Sequence, residues 1–281
     1  MLKKEASAIV GGLSTPGKMP CYSINLPATE CKVGSILAKE PGTTCHGCYA
    51  LKGRYRFKKT KEAMARRLRA LVHGSWTAAM VTLITGHKYF RWHDSGDLQG
   101  PQHLKNIIEV AKATPDAMHW LPTREYKLLQ FMDPDIIPKN LLIRVSATKV
   151  NGPAPSWWPW TSTVSTTTKT CPAPDQGGKC KSCRACWDRS VSNVVYAQHW
   201  TIKTNRKISW GLGRGQWIST NEQRRATRKQ HASVRSTSEQ TLKHRGPTST
   251  VNGQASKALV QQTSKHGPRN KFQALVTEVL D

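Results

Sequence analysis

The sequence feature that most constrains the fold of this chain is the grouping of its cysteines. Seven of the eight cysteines lie in two groups, on either side of a stretch that predicts alternating strands and helices. The first group comprises Cys31, Cys45 and Cys48, and the second comprises Cys171, Cys180, Cys183 and Cys186. Two CxxC steps share Cys183 and place three thiolates within reach of one metal centre. We therefore expect a fold with cysteine-rich metal-binding loops.

The environment of the chain decides whether such cysteines form disulfides or bind metal. The first residues, Met-Leu-Lys-Lys-Glu, lead into no long apolar run of the kind found in secretory signals. No segment reaches the roughly 18 apolar residues that a membrane span requires. These observations predict a cytoplasmic protein with no membrane association. In a reducing cytoplasm, clustered cysteines are more often metal ligands than disulfides.

The two groups predict different kinds of metal site. Cys31-x13-Cys45-x2-Cys48 supplies three thiolates and leaves one coordination position open for water or a substrate. A fourth ligand from His46, Cys21 or the second group would instead close that site, although we expect Cys21 to be a spare thiol. The second group supplies four ligands within 16 residues, enough for a closed site. It would accept either an iron–sulfur cluster or zinc.

Hydrophobic periodicity predicts strands and helices between the cysteine groups. Predicted strands cover residues 88–93, 118–121, 141–145 and 162–165. Predicted helices cover residues 60–72, 76–84, 101–114 and 126–132, whereas residues 1–58 predict loops with one or two short strands. Strand and helix units at this spacing build an α/β fold with a parallel sheet. Because the sheet is small, we expect a partial parallel βα barrel rather than a full eight-stranded one.

The charge of the chain predicts an anionic partner. The sequence holds 43 Lys and Arg residues against 17 Asp and Glu, a formal net charge of +26. Nine basic residues lie between residues 52 and 69, interleaved with Tyr55 and Phe57, a combination that suits nucleic acid. Residues 196–281 have low complexity and carry 15 basic against 4 acidic residues. We expect a metal-binding domain over residues 1–195 and then a largely disordered basic tail, a candidate nucleic-acid-binding arm.

Polar side chains lie at the ends of three of the predicted strands. Residues 93–97 have the sequence His-Asp-Ser-Gly-Asp, residues 123–125 are Thr-Arg-Glu, and residues 146–148 are Ser-Ala-Thr. Ligands of parallel sheets bind at these carboxyl ends, so a ligand-binding role is favoured over a surface turn or a buried hydrogen bond. Arg124 suits a carboxylate or phosphate, or an ion pair with Asp97. The candidate catalytic residues are His93, Asp94 and Arg124.

The order of these motifs resembles a known family. Cys-x-x-Cys-Tyr-Ala at residues 45–50 is followed by His-x-Ser-Gly-Asp at 93–97 and by Cys-Pro…Cys-x-x-Cys-x-x-Cys-Trp at 171–187. This combination resembles the bacteriophage gene-product-eighty-eight family over residues 10–198, without the basic tail. The resemblance implies a phage protein in the cytoplasm of the infected host cell, and it implies little about activity.

The layout also resembles, more distantly, the radical S-adenosylmethionine enzymes, which are partial TIM barrels. In that family three cysteines after the first strand hold an open 4Fe–4S cluster, and a turn after the second strand binds the methionine amino group. The resemblance implies an open cluster on the first cysteine group and an auxiliary cluster on the second. Ser95, Gly96 and Asp97 take the place of the amino-binding turn. The first cysteine gap departs from the family, since 13 residues stand where three are typical.

The cysteine groups predict an iron–sulfur protein with one or two 4Fe–4S clusters, with zinc as the alternative metal. The resemblance implies an enzyme of radical S-adenosylmethionine-like type with S-adenosylmethionine as a further cofactor, and the charge of the chain indicates a nucleic acid or a nucleotide-related substrate. The other class of function is a metal-stabilised nucleic-acid-binding or host-interaction protein without turnover, because coordination energy alone can stabilise a small domain. An open iron beside His93 and Asp97 favours the enzyme, whereas ligands that close every site favour the scaffold.

Overall fold

The computed structural model describes residues 1–198. The disordered basic tail predicted for residues 196–281, with its predicted nucleic-acid contact, lies outside the described residues apart from its first three positions. The last strand continues two residues beyond the predicted boundary at residue 195, to Ala197.

Six strands form one parallel sheet, which confirms the predicted α/β class. The strands are β1 (Tyr22–Ile24), β2 (Tyr89–Trp92), β3 (Met118–Thr123), β4 (Leu141–Val150), β5 (Thr161–Ser165) and β6 (Asn193–Ala197). Their order in the sheet is their order along the chain, and each neighbouring pair is parallel. All six carboxyl ends consequently lie along the same edge of the sheet.

Five α-helices accompany the sheet within the described residues. They are α1 (Lys3–Val10), α2 (Lys32–Leu37), α3 (Lys58–Ala70), α4 (Trp76–Ile84) and α5 (Pro101–Ala113). Helix α5 begins at Pro101, whose fixed φ suits the first helical position, and it buries a stripe that includes Leu104, Ile107 and Ile108. Helix α4 packs against both α1 and α5. None of the helices in residues 1–198 is long and apolar enough to cross a membrane.

The hydrophobic core lies between these helices and the central strands. Trp76 of α4, Phe90 and Trp92 of β2, and Leu121 of β3 are fully buried. The ring centroids of Phe90 and Trp92 are 4.8 Å apart. Because successive side chains of a strand point to opposite faces, this packing leaves Arg91 to face the other side of the sheet.

Some elements differ from the sequence predictions. The sequence predicts no helix before residue 58, yet α1 and α2 form there. Helix α1 fully buries only Ala6 and Val10, too short an apolar pattern for periodicity to detect. Strand β6 is missed because only one of its five residues is fully buried. The helix predicted for residues 126–132 is a single 3-10 turn, Tyr126–Leu128, and Pro134 prevents continuation beyond Met132.

Arg144, in β4, is fully buried and organises the segment that precedes β6. Its guanidinium donates to six backbone carbonyl oxygens. The acceptors are the carbonyls of Thr161, Ala185, Cys186, Asp188, Val191 and Ser192, at distances from 2.8 to 3.3 Å. All but one of these belong to residues 185–192, which connect the last cysteine to β6. One side chain therefore joins this connection to the sheet and satisfies carbonyls that burial would otherwise leave without a donor.

The loops after β1 and β2 meet in direct backbone contact. The Leu26 N–H donates to the Ser95 carbonyl at 2.9 Å, and the Ser95 hydroxyl donates to the Leu26 carbonyl at 2.6 Å. Gly96 has a φ of +80°, and a Cβ added to it would lie 2.6 Å from the Leu26 Cβ. Glycine is required here both for its backbone conformation and for the space it leaves.

We expect Gly96→Ala to destabilise the fold strongly. The left-handed backbone alone costs an L-residue about 1–2 kcal/mol, and the collision with Leu26 adds about 1–3 kcal/mol. Gly86→Ala is the matched control, since Gly86 has a φ of +84° and nothing lies within 4 Å of an added Cβ. Chemical denaturation of the metal-free proteins measures both losses, and equal losses in the two variants would contradict the close contact.

We expect Arg144→Lys to lower the free energy of unfolding by at least about 3 kcal/mol. Lysine offers three donors on one atom where the guanidinium offers five in a planar fork, and each buried carbonyl left without a donor costs about 1–3 kcal/mol. Arg66→Lys, at an exposed position of α3, is the control and should change stability by less than about 0.5 kcal/mol. A loss no larger than the control's would mean that water replaces the guanidinium.

Candidate functional site

A cavity of about 610 Å³ opens at the carboxyl edge of the sheet. Each of the six strands, or the loop that follows it, contributes to the lining. Examples are Ala28 after β1, Asp94 after β2, Arg124 after β3, Ser146 in β4, Ser162 in β5 and Tyr196 in β6. This is the edge at which parallel sheets bind their ligands. The volume is that of a site for one small molecule.

Six of the seven cysteines predicted as metal ligands line this cavity. They are Cys31, Cys45, Cys48, Cys171, Cys180 and Cys186. The fold thus brings two groups that are far apart in the sequence to the walls of one space. Cys183 is not part of the lining, although its thiol raises the pKa of Cys180 and therefore lies close to it. Cys21 lines a separate, smaller pocket, and all eight cysteines are free thiols.

The first cysteine group surrounds a glycine that leaves room for its sulfurs. Cys31 immediately precedes α2, and Gly34 lies in the first turn of that helix. A Cβ added to Gly34 would lie 3.6 Å from both the Cys31 and the Cys45 sulfur. Cys48 follows in a tight turn, in which its N–H donates to the Cys45 carbonyl at 3.0 Å. The three thiols therefore reach the cavity from two neighbouring loops.

Burial dominates the acid–base chemistry of these thiols. It raises the pKa of Cys31, and the Asp97 carboxylate and the Cys45 thiol raise it further. Burial also raises the pKa of Cys45, which the nearby Arg124 cation lowers in part. Without a metal, these two thiols are protonated at neutral pH, so that binding of a metal cation would release protons.

The thiols of the two cysteine groups are not gathered around one point among the described residues. Thiolates on one zinc all lie about 2.3 Å from the metal, whereas cluster ligands bind separate iron atoms. Within residues 1–198, no three Cys, His, Asp or Glu side chains are close enough to hold one metal ion. Instead, the thiols are spread around an open space.

Backbone hydrogen bonds hold Cys180 and Cys183, the first CxxC step of the second cysteine group, in place. The Cys180 N–H donates to the Lys18 carbonyl at 2.9 Å, and the Cys183 N–H donates to the Cys180 carbonyl at 2.9 Å. Burial raises the pKa of Cys180, and Lys18 opposes that rise. The CxxC step is therefore a turn fixed against the loop that precedes β1.

The end of the second group lies beside β6. The Cys186 sulfur is 3.2 Å from the Tyr196 hydroxyl. Burial raises the pKa of Cys186 to about 11, and Cys171 adds to the rise. Since Cys171 has the same effect on Cys180, the three sulfurs face a shared part of the cavity.

His93 and Asp94, two of the predicted catalytic residues, lie in the cavity wall in different environments. The His93 ring is buried against the His103 ring, with centroids 5.1 Å apart, and neither His93 nitrogen has a hydrogen-bond partner among the described residues. Burial lowers the pKa of His93 well below its ordinary value, so that the imidazole is neutral. The Asp94 carboxylate accepts hydrogen bonds from Ser23 at 2.7 Å and from Tyr55 at 3.1 Å, which joins it to β1 and to the loop before α3.

Asp97 and Arg124 are joined through the backbone and not through an ion pair. The Asp97 carboxylate accepts from the Arg124 N–H at 2.8 Å and from the Thr123 hydroxyl at 2.6 Å. The Arg124 side chain instead donates from Nε to the Thr44 hydroxyl at 2.9 Å. Burial raises the pKa of Asp97 to about 6. The predicted strand-end residues thus come together next to the thiol of Cys45.

Sequence reasoning assigned no role to two residues that position the site. Glu125 is buried and accepts from the Val33 N–H at 2.9 Å, which fixes the first turn of α2 after Cys31. Tyr49 donates from its hydroxyl to the Asp94 carbonyl at 2.6 Å and so joins the first cysteine loop to the turn after β2. Their positions next to Arg124 and Cys48 in the sequence were the available signals.

The predicted basic run borders the cavity. Eight of the nine basic residues between residues 52 and 69 are exposed. The exception is Arg67, which is buried and donates to the Gly12 carbonyl at 2.8 Å and to the Asn25 side chain. Tyr55 lines the cavity and does not interleave with the exposed cations. The exposed part of the run therefore begins at the cavity.

Comparison with known proteins identifies the family. A family model described as Gene product 88 matches residues 2–167. The chain belongs to this gene product 88 family. The match supports the predicted bacteriophage origin, and it includes the first cysteine group, residues 93–97 and Arg124. It ends before the second cysteine group, so the resemblance expected over residues 10–198 is supported only as far as residue 167. No curated protein and no solved structure matches the chain, and the comparisons provide no support for the predicted likeness to radical S-adenosylmethionine enzymes.

We expect Asp97 to make the stability of the metal-free protein fall as the pH rises from about 4 to about 6. Its pKa of about 6 in the fold lies above the ordinary value of 3.8, because burial penalises the charged carboxylate. The contribution is fully present below the unfolded pKa and is lost as the pH rises through the folded pKa, by up to about 3 kcal/mol.

Unfolding free energies measured across this pH window, for the wild type and Asp97→Asn, isolate the effect. The variant lacks the titrating group, so its profile should lose this fall. Identical pH profiles for the two proteins would contradict the raised pKa.

Proposed function

We propose that this gene product 88 protein is an iron–sulfur enzyme whose reaction takes place in the cysteine-lined cavity. The observation that carries the proposal is that six cysteines and the polar strand ends share one space of about 610 Å³. A metal that only stabilises loops needs no such space beside its ligands. A catalytic centre does, because its substrate must reach the metal.

The first cysteine group is the proposed reactive centre. Cys31, Cys45 and Cys48 would hold a 4Fe–4S cluster, and the second group would hold an auxiliary cluster. Such a cluster, with one iron free of protein ligands, supplies an electron and a coordination position for a small ligand. Arg124 holds a positive charge next to Cys45, and Asp97, with its raised pKa, holds a proton near pH 6 at the same wall.

A radical S-adenosylmethionine-like reaction is the proposed chemistry. Its support is topological: the three cysteines follow β1, and the Ser-Gly-Asp turn follows β2, in a sheet whose strands are parallel and in sequence order. Ser95 uses both its carbonyl and its hydroxyl on Leu26, so its role is to shape the turn. Gly96 and Asp97 also line the cavity, and the Asp97 carboxylate joins the turn to the end of β3 through Thr123 and the Arg124 N–H.

A partial barrel is the architecture that best accounts for the cavity. Arg91 in β2 and Tyr196 in β6 line the same space, and each alters the pKa of the other. In a flat sheet these strands would be four spacings apart, about 19 Å. The Trp187 indole, from the segment before β6, donates to the Phe90 carbonyl of β2 at 2.9 Å. These contacts support a sheet that curves around the cavity.

The proposed substrate is a nucleic acid or a nucleotide-related molecule. Eight exposed basic residues lie between residues 52 and 69, a run in which Tyr55 lines the cavity, and they would attract a polyanion. The cavity admits a group of the size of one nucleotide and not a strand, so a polymer would have to insert a single unit.

We expect protein purified without oxygen to contain iron and acid-labile sulfide and to absorb broadly near ~400 nm. Metal and sulfide analysis with an ultraviolet–visible spectrum measures this. A colourless protein with stoichiometric zinc would contradict the proposal and favour a zinc-stabilised binding protein.

We expect Cys48→Ala to lose part of the iron and sulfide while the second centre keeps its absorbance. Cys21→Ala is the matched control, because Cys21 lies outside the main cavity and the variant should keep the full content. If Cys48→Ala yields no folded protein, or if both variants lose the same amount of iron, the assignment of a separate reactive centre to the first group is wrong.

A further inference from the structure

Arg91 projects from β2 into the cavity and is held there by an aromatic ring. Its guanidinium lies over the Trp120 ring, 4.6 Å from the centroid. Arg91 and Trp120 both belong to the cavity lining. Stacking on an aromatic face orients the planar fork without using its N–H donors.

The donors of Arg91 are poorly satisfied. No carboxylate among the described residues lies within 4.0 Å of its guanidinium. Its Nε is fully enclosed and has no hydrogen-bond partner, and Nη1 donates to the Met19 sulfur, a weak acceptor, at 3.7 Å. The Tyr49 hydroxyl also interacts with Arg91, but it is neutral and already donates to the Asp94 carbonyl.

The Asp94 carboxylate raises the pKa of Arg91, but its two oxygens accept hydrogen bonds from other side chains. One oxygen accepts from the Ser23 hydroxyl at 2.7 Å, and the other accepts from Asn25 at 3.4 Å and from Tyr55 at 3.1 Å. The guanidinium therefore keeps N–H donors that no anion of the described chain takes up.

Arg144 shows what a satisfied guanidinium looks like in this fold, since it donates to six backbone carbonyls. Arg189 is intermediate: it stacks on a tryptophan, 4.3 Å from the Trp160 centroid, and its Nη2 donates to three backbone carbonyls, whereas its Nε has no partner, as in Arg91. A buried cation without an ion-pair partner costs stability, and a ligand that supplies the anion compensates for this cost.

We propose that Arg91 anchors an oxyanion of the substrate, a phosphate or a carboxylate, inside the cavity. This inference rests on the proposed function in that it takes the cavity as the reaction site, and it names the group by which the substrate is held. The guanidinium fork matches either oxyanion in a bidentate geometry. Tyr49, Tyr55 and Tyr196 line the same space, so the anchored molecule would have aromatic walls for a planar ring.

The test is calorimetric titration of the full-length protein at fixed salt with four probes: inorganic phosphate, adenosine monophosphate, adenosine and benzoate. We expect the wild type to bind adenosine monophosphate at least 10-fold more tightly than adenosine. Arg91→Gln should lose at least 10-fold for the anionic probes and nothing for adenosine, and Arg91→Lys should fall between. Preference for phosphate probes or for benzoate identifies which oxyanion the site takes.

Arg189→Lys is the matched control, since it alters an arginine stacked on a tryptophan outside the cavity. It should leave all four affinities unchanged. The melting temperature provides a second readout: Arg91→Gln should equal or exceed the wild type, because it removes an unsatisfied charge, whereas a structural arginine would lower it on removal.

Equal affinity of the wild type and Arg91→Gln for every anionic probe, or no binding of these probes by the wild type, would overturn the proposal. So would a variant that loses only iron and keeps anion binding. Running the titrations on both the metal-free and the metal-loaded protein separates the two proposals. If the protein purified without oxygen contains no iron and still binds anions through Arg91, the anchor is supported and the cluster is refuted. If it contains iron and sulfide but neither form binds the anionic probes, the cluster is supported and the anchor is refuted.

Discussion

The structure depends on the hydrogen bonds of one buried guanidinium. Arg144 lies in β4, and its guanidinium donates hydrogen bonds to six backbone carbonyls, most of them from residues 185–192. Around the second cysteine group the hydrophobic cluster is small, with three buried members, so packing alone contributes little there. The hydrogen bonds of Arg144 therefore set where Cys186 meets the cavity and where β6 joins the sheet. The second cysteine group therefore reaches the cavity because the hydrogen bonds of the Arg144 guanidinium hold the segment that carries Cys186.

The cavity wall around the first cysteine group is held together by contacts other than ion pairs. Gly96 lets the turn after β2 lie against Leu26, Tyr49 joins the cysteine loop to Asp94, and Glu125 fixes the turn after Cys31. Each contact joins the loops of two different strands, which is how a small sheet holds an open space at its edge. The two buried arginines differ in the same way. Arg144 stabilises the cavity wall through its hydrogen bonds, whereas Arg91 is the proposed anchor for a ligand.

Local patterns in the sequence predicted much of this fold. Strands β2 to β5, helices α3 to α5 and the place of residues 93–97 at a strand end all follow from hydrophobic spacing and turn residues. Strand β6 and helix α1 were missed because neither buries a long apolar stripe. At the site, the cysteines could be named, but their meeting in one cavity depends on contacts between distant segments. Burial also distinguishes residues that look alike in sequence. Arg67 lies within the basic run, yet its side chain is buried and bonds to the interior. That Arg91 has no ion-pair partner among the described residues can be seen only in the structure.

The division of the chain by the family match has a consequence for how it folds. The match ends at residue 167, after β5, whereas five of the six acceptors of Arg144 lie at residues 185–192. A fragment ending at the family boundary would keep the guanidinium in mid-sheet and lose nearly all of its acceptors, leaving a buried, unsolvated cation. We therefore expect that a fragment ending at residue 167 does not fold by itself, because the segment it lacks supplies five of the six backbone oxygens around the Arg144 guanidinium.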